Sequence, residues 1–242
     1  MDSLRGWTEL IASSGLFIDS VIPYNGPWAK LPDDSCYRFV FMTRTKPELF
    51  AFQGDTYPYF YHAYNRAYMN DRTWEVPVGQ KLVRECGGDV LEVGNVLGHY
   101  GPIQHTVLDK YEQGAGIVNE DAETFQGGPY DLIVSISTIE HIGWDEERKD
   151  PDKVIRALDN LKALLKPGGK LVITFPLGYN PPLDSRLESG ALGFSETYYM
   201  KRISQDNQWK EATWDEVKGS EFGKPFNNGN GDVIGVYVKG GE

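Results

Sequence analysis

The chain has 242 residues, 40% hydrophobic and 13% aromatic, enough for one large domain with a sizeable core. A formal net charge of −11 argues against a nonspecific polyanion partner, so no nucleic acid is expected. No apolar run approaches the ~18 residues of a membrane span, and Met1-Asp2-Ser3-Leu4-Arg5 does not open a basic-then-hydrophobic signal segment.

Cys36 and Cys86 form no metal-spacing motif and are too few for a disulfide framework, which suits a reducing cytoplasm. From the N-terminus, residues Gly6 to Ser14 predict a short amphipathic helix, and Leu16 to Ile22 and Tyr37 to Met42 predict strands separated by turn-rich segments. The densest aromatic stretch is Tyr57-Pro58-Tyr59-Phe60-Tyr61-His62-Ala63-Tyr64. It reads either as a wall that stacks on an acceptor, with Tyr61 and Tyr64 as candidates, or as ordinary packing onto the core. A helix is expected from Val78 to Cys86, ended by Gly87-Gly88. Residues 1–75 therefore form an extension or cap that could bind the acceptor, and residues 76–242 form the main domain.

From Asp89 onward strands and helices alternate, the pattern of a parallel sheet with crossovers. Expected strands are Val90 to Val93, Thr106 to Leu108, Gly116 to Val118, Tyr130 to Ser135 and Lys170 to Phe175. Their near-continuous apolar runs indicate burial on both faces. The helix before Lys170 carries Val154, Ile155, Leu158, Leu161 and Leu165 on one face, with Asp150 as the expected cap and Pro151 in its first turn. Pro176 to Pro182 reads as a loop containing Tyr179, a candidate acceptor contact. Glu196 to Ile203 and Val233 to Val238 are expected to pair as an antiparallel hairpin at the sheet edge.

The stretch Val90-Leu91-Glu92-Val93-Gly94-Asn95-Val96-Leu97-Gly98 runs a strand into a glycine turn where a backbone can approach a ligand. Such sheets bind ligands at the carboxyl ends of their strands. Acidic residues stand at those ends: Glu92, then Asp109 followed by Lys110, then Glu120-Asp121-Ala122. A carboxylate after the second strand can accept ribose hydroxyls, and one after the third can meet an adenine amino group. Ser135 and Ser137 end the fourth strand, and Glu140-His141 follow. His141 is the leading candidate for a general base, since imidazole has an ordinary pKa of ~6.5. It could instead line the cofactor pocket or hydrogen-bond backbone, and Glu140 competes for the role. Asp145-Glu146-Glu147 reads as a solvated acidic turn rather than a cation site, and no metal ligand is assigned.

These motifs, with Tyr130-Asp131-Leu132-Ile133-Val134-Ser135, Ile139-Glu140-His141-Ile142 and Leu165-Lys166-Pro167-Gly168-Gly169, resemble the class I S-adenosylmethionine-dependent methyltransferases. The resemblance covers residues 76–242. It implies a Rossmann-like, seven-stranded, mostly parallel α/β sheet with helices on both faces and a C-terminal antiparallel hairpin. It also implies S-adenosylmethionine as cofactor, with Glu92, Gly94, Asn95, Val96 and Gly98 near the methionine moiety. Asp109 and Lys110 would lie at the ribose, Glu120, Asp121 and Ala122 at the adenine, and Ser135 and Ser137 beside them. Val96 departs from the family pattern, standing where its middle glycine falls. The end of the fourth strand lacks the signature of amino-methylating nucleic-acid enzymes, so the expected acceptor is a small molecule or sugar with a hydroxyl. A non-catalytic partner subunit of the same fold and an NAD(P)-dependent oxidoreductase are the alternatives. Oligomeric state is left open, a homodimer included.

Overall fold

The apolar runs after Asp89 become the centre of a single sheet. The computed structural model of the chain describes residues 49–62 and 64–240. The helix and two strands expected before Met42 lie outside the described residues.

Two strands come first, β1 (Leu49–Phe52) and β2 (Asp55–Pro58), paired as an antiparallel hairpin about Gln53-Gly54. Helix α1 (Arg72–Cys86) follows. The expected start at Val78 falls short because the helix runs straight through Pro77. Proline has no N–H to offer the carbonyl four residues back. That carbonyl, on Thr73, instead accepts from the backbone N–H of Phe60 at 2.7 Å. The aromatic segment is thus tied into the break that proline makes.

Strands β3 (Val90–Val93), β4 (Thr106–Leu108), β5 (Ile117–Val118), β6 (Tyr130–Ile136) and β7 (Leu165–Pro176) are all parallel. Strands β8 (Glu196–Arg202), β9 (Trp209–Ala212) and β10 (Gly231–Val238) complete the sheet. The order is β5-β4-β3-β6-β7-β10-β8-β9, with β10 antiparallel to β7 and to β8. The expected late hairpin is therefore present, and β9 adds an eighth strand outside β8.

Alternate residues of each central strand enter opposite cores. Leu91, Ile133, Leu171 and Ile173 pack on one face with Val154, Leu158 and Leu161 of helix α2 (Lys153–Ala163). Val90, Leu132, Val134 and Val172 pack on the other with Trp74 and Val78 of α1 and Phe50 and Phe52 of the hairpin. Burial on both faces explains why these strands read as near-continuous apolar runs. Helix α2 begins two residues later than a cap at Asp150 requires. Its cap position is Asp152, whose backbone N–H donates to Asp150 Oδ1 at 3.2 Å. The expected loop after β7 contains helix α3 (Pro181–Glu188), capped by Asn180, whose side chain accepts from Leu183 N–H. A short helix α4 (Trp214–Val217) precedes β10. No helix among the described residues is long and apolar enough to cross a membrane.

Candidate functional site

The carboxyl ends of β3, β4 and β6, with the loop after β5, enclose a cavity of about 500 Å³, within the ~300–1,000 Å³ range of small-ligand sites. Its floor is the glycine turn. Gly94 has φ +84°, and a Cβ there would lie 2.3 Å from Thr138 Oγ1, so only glycine lets the turn pass beneath Thr138. Val96 sits at φ −107°, where a β-branched residue is unstrained. The missing middle glycine therefore costs this turn nothing. Gly98 and Asn95 lie off the cavity wall, against one another: a Cβ on Gly98 would meet Asn95 Oδ1 at 2.4 Å.

Glu92 is fully buried and does not line the cavity. Its Oε1 accepts from the backbone N–H groups of Val96 and Leu97 at 2.9 and 2.7 Å. Its Oε2 pairs with His105 Nε2 at 2.7 Å. The carboxylate braces the turn from behind.

Asp109 does line the cavity. Its Oδ1 accepts from Tyr111 and Glu112 N–H at 2.9 and 2.8 Å, and its Oδ2 from Asn95 N–H at 3.0 Å. Burial pushes its pKa up, but these backbone donors and nearby His99 outweigh that and hold it below the usual carboxylate range. A carboxylate has about four acceptor positions. Three are filled, and the remaining one is on Oδ2.

At the β5 end, Glu120, Asp121 and Ala122 form the next wall. Asp121 Oδ2 sits 2.6 Å from Lys153 Nζ and 2.9 Å from Lys110 Nζ, and Glu146 bridges the same two lysines. Burial raises the Asp121 pKa, and the lysine ammonium groups overcome it, leaving about 2. Ser135 and Ser137 point elsewhere. Ser135 Oγ donates to Val93 O, and Ser137 Oγ donates to Glu75 Oε1.

His141 stands on the cavity wall with its side chain 46% exposed. Its Nδ1 faces Asp145 Oδ2 and, at 3.1 Å, the Tyr179 hydroxyl, which also donates to Asp145. Glu140 lies beneath His141, with Oε1 3.7 Å from His141 Nε2. It is 2% exposed, burial pushes its pKa well above the usual range, and its Oε2 has no partner among the described residues. Tyr61 packs on the core that faces α1, and its ring centroid is 6.3 Å from that of Tyr59. The Tyr64 ring stacks on His99 at 4.0 Å. Neither tyrosine lines the cavity.

Sequence reasoning did not place Thr138, Tyr111, Glu112 or Ile142 on the wall. Tyr111 alone carries a signal, an aromatic ring beside a strand-end acid, and it is 69% exposed. Among the described residues, no group of three or more His, Cys, Asp or Glu side chains could hold a metal ion.

A family model described as a methyltransferase domain matches residues 81–218, more than half of the chain. The chain belongs to the class I S-adenosylmethionine-dependent methyltransferases. No curated protein matches this methyltransferase. Its fold is similar to N-methyltransferase NodS from Bradyrhizobium japonicum in complex with S-adenosylhomocysteine, at 15% identity and TM-score 0.42, covering 74% of this chain and 97% of that one. A second similar structure is the 1,6-didemethyltoxoflavin-N1-methyltransferase of Burkholderia thailandensis, at 16% identity and TM-score 0.42, covering 70% and 80%. A third is a TehB-like methyltransferase from Corynebacterium glutamicum, at 23% identity and TM-score 0.38, covering 63% and 80%. The assignment rests on the family match, and the site fits the cofactor. Thr138 packs onto the turn only because Gly94 lacks a Cβ, both residues line the cavity, and Asp109 keeps one acceptor position in hand beside them.

Proposed function

We propose that the methyltransferase methylates a hydroxyl of a small-molecule or glycan acceptor, with His141 as general base. The arrangement of His141, Asp145 and Tyr179 carries this reading. With Nδ1–H donated to Asp145, the free imidazole lone pair lies on Nε2, and Asp145 stabilises the cation formed when that nitrogen takes a proton. The cofactor, when bound, supplies an electrophilic methyl group. The protein's task is then to align the acceptor, exclude water and remove its proton. Asp109 would hold the cofactor's ribose, and Asp121 and Ala122 would flank its adenine. Gly94 would border the methionine moiety. Residues 1–75 would cap the acceptor side, and Tyr179, beside His141, would meet the acceptor. The two cysteines, lacking any metal-spacing motif, suit a cytoplasmic enzyme.

Calorimetric titration with S-adenosylhomocysteine and turnover on a panel of hydroxylated acceptors test the proposal. Asp109→Ala is expected to weaken binding about ten-fold or more, using ~1.4 kcal/mol per decade. His141→Gln is expected to slow turnover by about 10²-fold or more while leaving cofactor affinity unchanged. Full turnover in that variant would remove His141 from the chemistry.

A further inference from the structure

A ribose presents two neighbouring hydroxyls, and each needs an acceptor when it leaves water. Asp109 has one acceptor position left, because backbone N–H groups of Asn95, Tyr111 and Glu112 occupy the others. A second carboxylate lies on the same wall, three residues along at Glu112. The Glu112 side chain is 35% exposed and forms part of the cavity wall. It is also held from the other side: Asn95 Nδ2 donates to Oε1 at 2.6 Å, and His99 Nε2 lies 2.9 Å from Oε2.

His99 links this wall to the aromatic strap formed by residues 59–62 and 64–66. The Tyr64 hydroxyl is 2.9 Å from His99 Nε2, and the two rings stack at 4.0 Å. Phe60, His62 and Tyr64 all set their rings against Tyr100, the residue after His99. Asn65 and Arg66 sit at φ +50°, a strained conformation for side-chain-bearing residues. A strained segment is thus fastened, through one imidazole, to the carboxylate of a residue that lines the cavity.

We propose that Glu112 accepts the second ribose hydroxyl of the cofactor and, through His99 and Tyr64, couples cofactor loading to the strap. This rests on the cofactor reading above. Binding would draw Glu112 toward the ribose and change what His99 can offer Tyr64. The strap that borders the glycine turn would then differ between the empty and loaded enzyme, so acceptor access would follow cofactor binding.

The full chain, S-adenosylhomocysteine and its 2′-deoxy and 3′-deoxy analogues test this without an acceptor. Glu112→Gln is expected to weaken S-adenosylhomocysteine about ten-fold, the size of one hydrogen bond to a charged group. One deoxy analogue should bind the unmodified protein and Glu112→Gln equally, since the lost hydroxyl and the lost charge are the same contact. Hydrogen exchange at residues 60–66 should change on ligand addition in the unmodified protein and not in Glu112→Gln or Tyr64→Phe. Thermal melts of both variants serve as the control for folding. Unchanged affinity in Glu112→Gln, or ligand-induced exchange changes that persist in both variants, would overturn the proposal. Absence of binding to the unmodified protein would instead sink the cofactor site itself, and the proposal with it.

Discussion

Glu92 separates two accounts of the glycine turn, a contact to the cofactor or a brace beneath it. Removing its side chain by Glu92→Ala strands two buried backbone N–H groups and His105, whose side chain is 6% exposed. Leaving buried donors without an acceptor costs about 1–3 kcal/mol each, which in a chain of this size lowers Tm on the order of 10 °C. Glu92→Gln is milder. Its amide oxygen still accepts from Val96 and Leu97, and only the side facing His105 changes, at a cost of about 1–2 kcal/mol. Urea melts give the stability, and calorimetry with S-adenosylhomocysteine gives the affinity. If Glu92 is a brace, Glu92→Gln loses stability and keeps affinity within about three-fold, or ~0.6 kcal/mol. A ten-fold loss of affinity at unchanged stability would refute the reasoning and put the carboxylate on the ligand.

Gly94→Ala places a Cβ 2.3 Å from Thr138 Oγ1 at φ +84°. It is expected to destabilise by more than ~1 kcal/mol and to weaken S-adenosylhomocysteine, both read from ligand-dependent melting. A normal melt with normal ligand stabilisation would show that the turn does not need a glycine. Asp121 gives a pH prediction. Its pKa is about 2 in the fold, below the ordinary 3.8, so the unfolded chain binds its proton first as pH falls. Its stabilisation is complete above pH ~4 and is lost as pH drops through about 2, on the order of 2 kcal/mol in all. Lys153→Met should flatten that part of the stability–pH curve, and an identical curve would exclude the Lys153–Asp121 pair as its source.

The sequence revealed strands most clearly where both faces are buried. Val90 to Val93 and Tyr130 to Ser135 are mostly apolar, broken only by Glu92, Asp131 and Ser135, because alternate side chains enter opposite cores. The β1–β2 hairpin was hidden for the opposite reason: Leu49 is 59% exposed although apolar, so Leu-Phe-Ala-Phe shows no alternation. The helix expected from Val78 begins earlier, and the distant Phe60 N–H makes Pro77 acceptable inside it. Asn180-Pro181-Pro182 carries a proper start signal for α3, a cap followed by prolines in the first turn, which was read as a loop. At the site, Asp109 and Asp121 were legible because strand ends fix where they stand. Glu92 looked equivalent, but its partners are N–H groups four and five residues on and a histidine before β4. Ser135 and Ser137 were read as facing the ligand, while their hydroxyls are occupied by Val93 O and Glu75. Glu112, Asp145 and Thr138 depend on how loops fold back, which no local pattern encodes.

The sheet tapers at both margins. Among the described residues its outer strands are β5, with two residues, and β9, with four, and beyond β9 the Gln53 backbone N–H is held by Glu211. A long central ladder thus ends in very little unpaired backbone, and the charged Lys210-Glu211 pair stands on the β9 rim. Such margins resist the addition of a foreign strand. Among the described residues, then, the margins offer little backbone by which a second copy could extend the sheet.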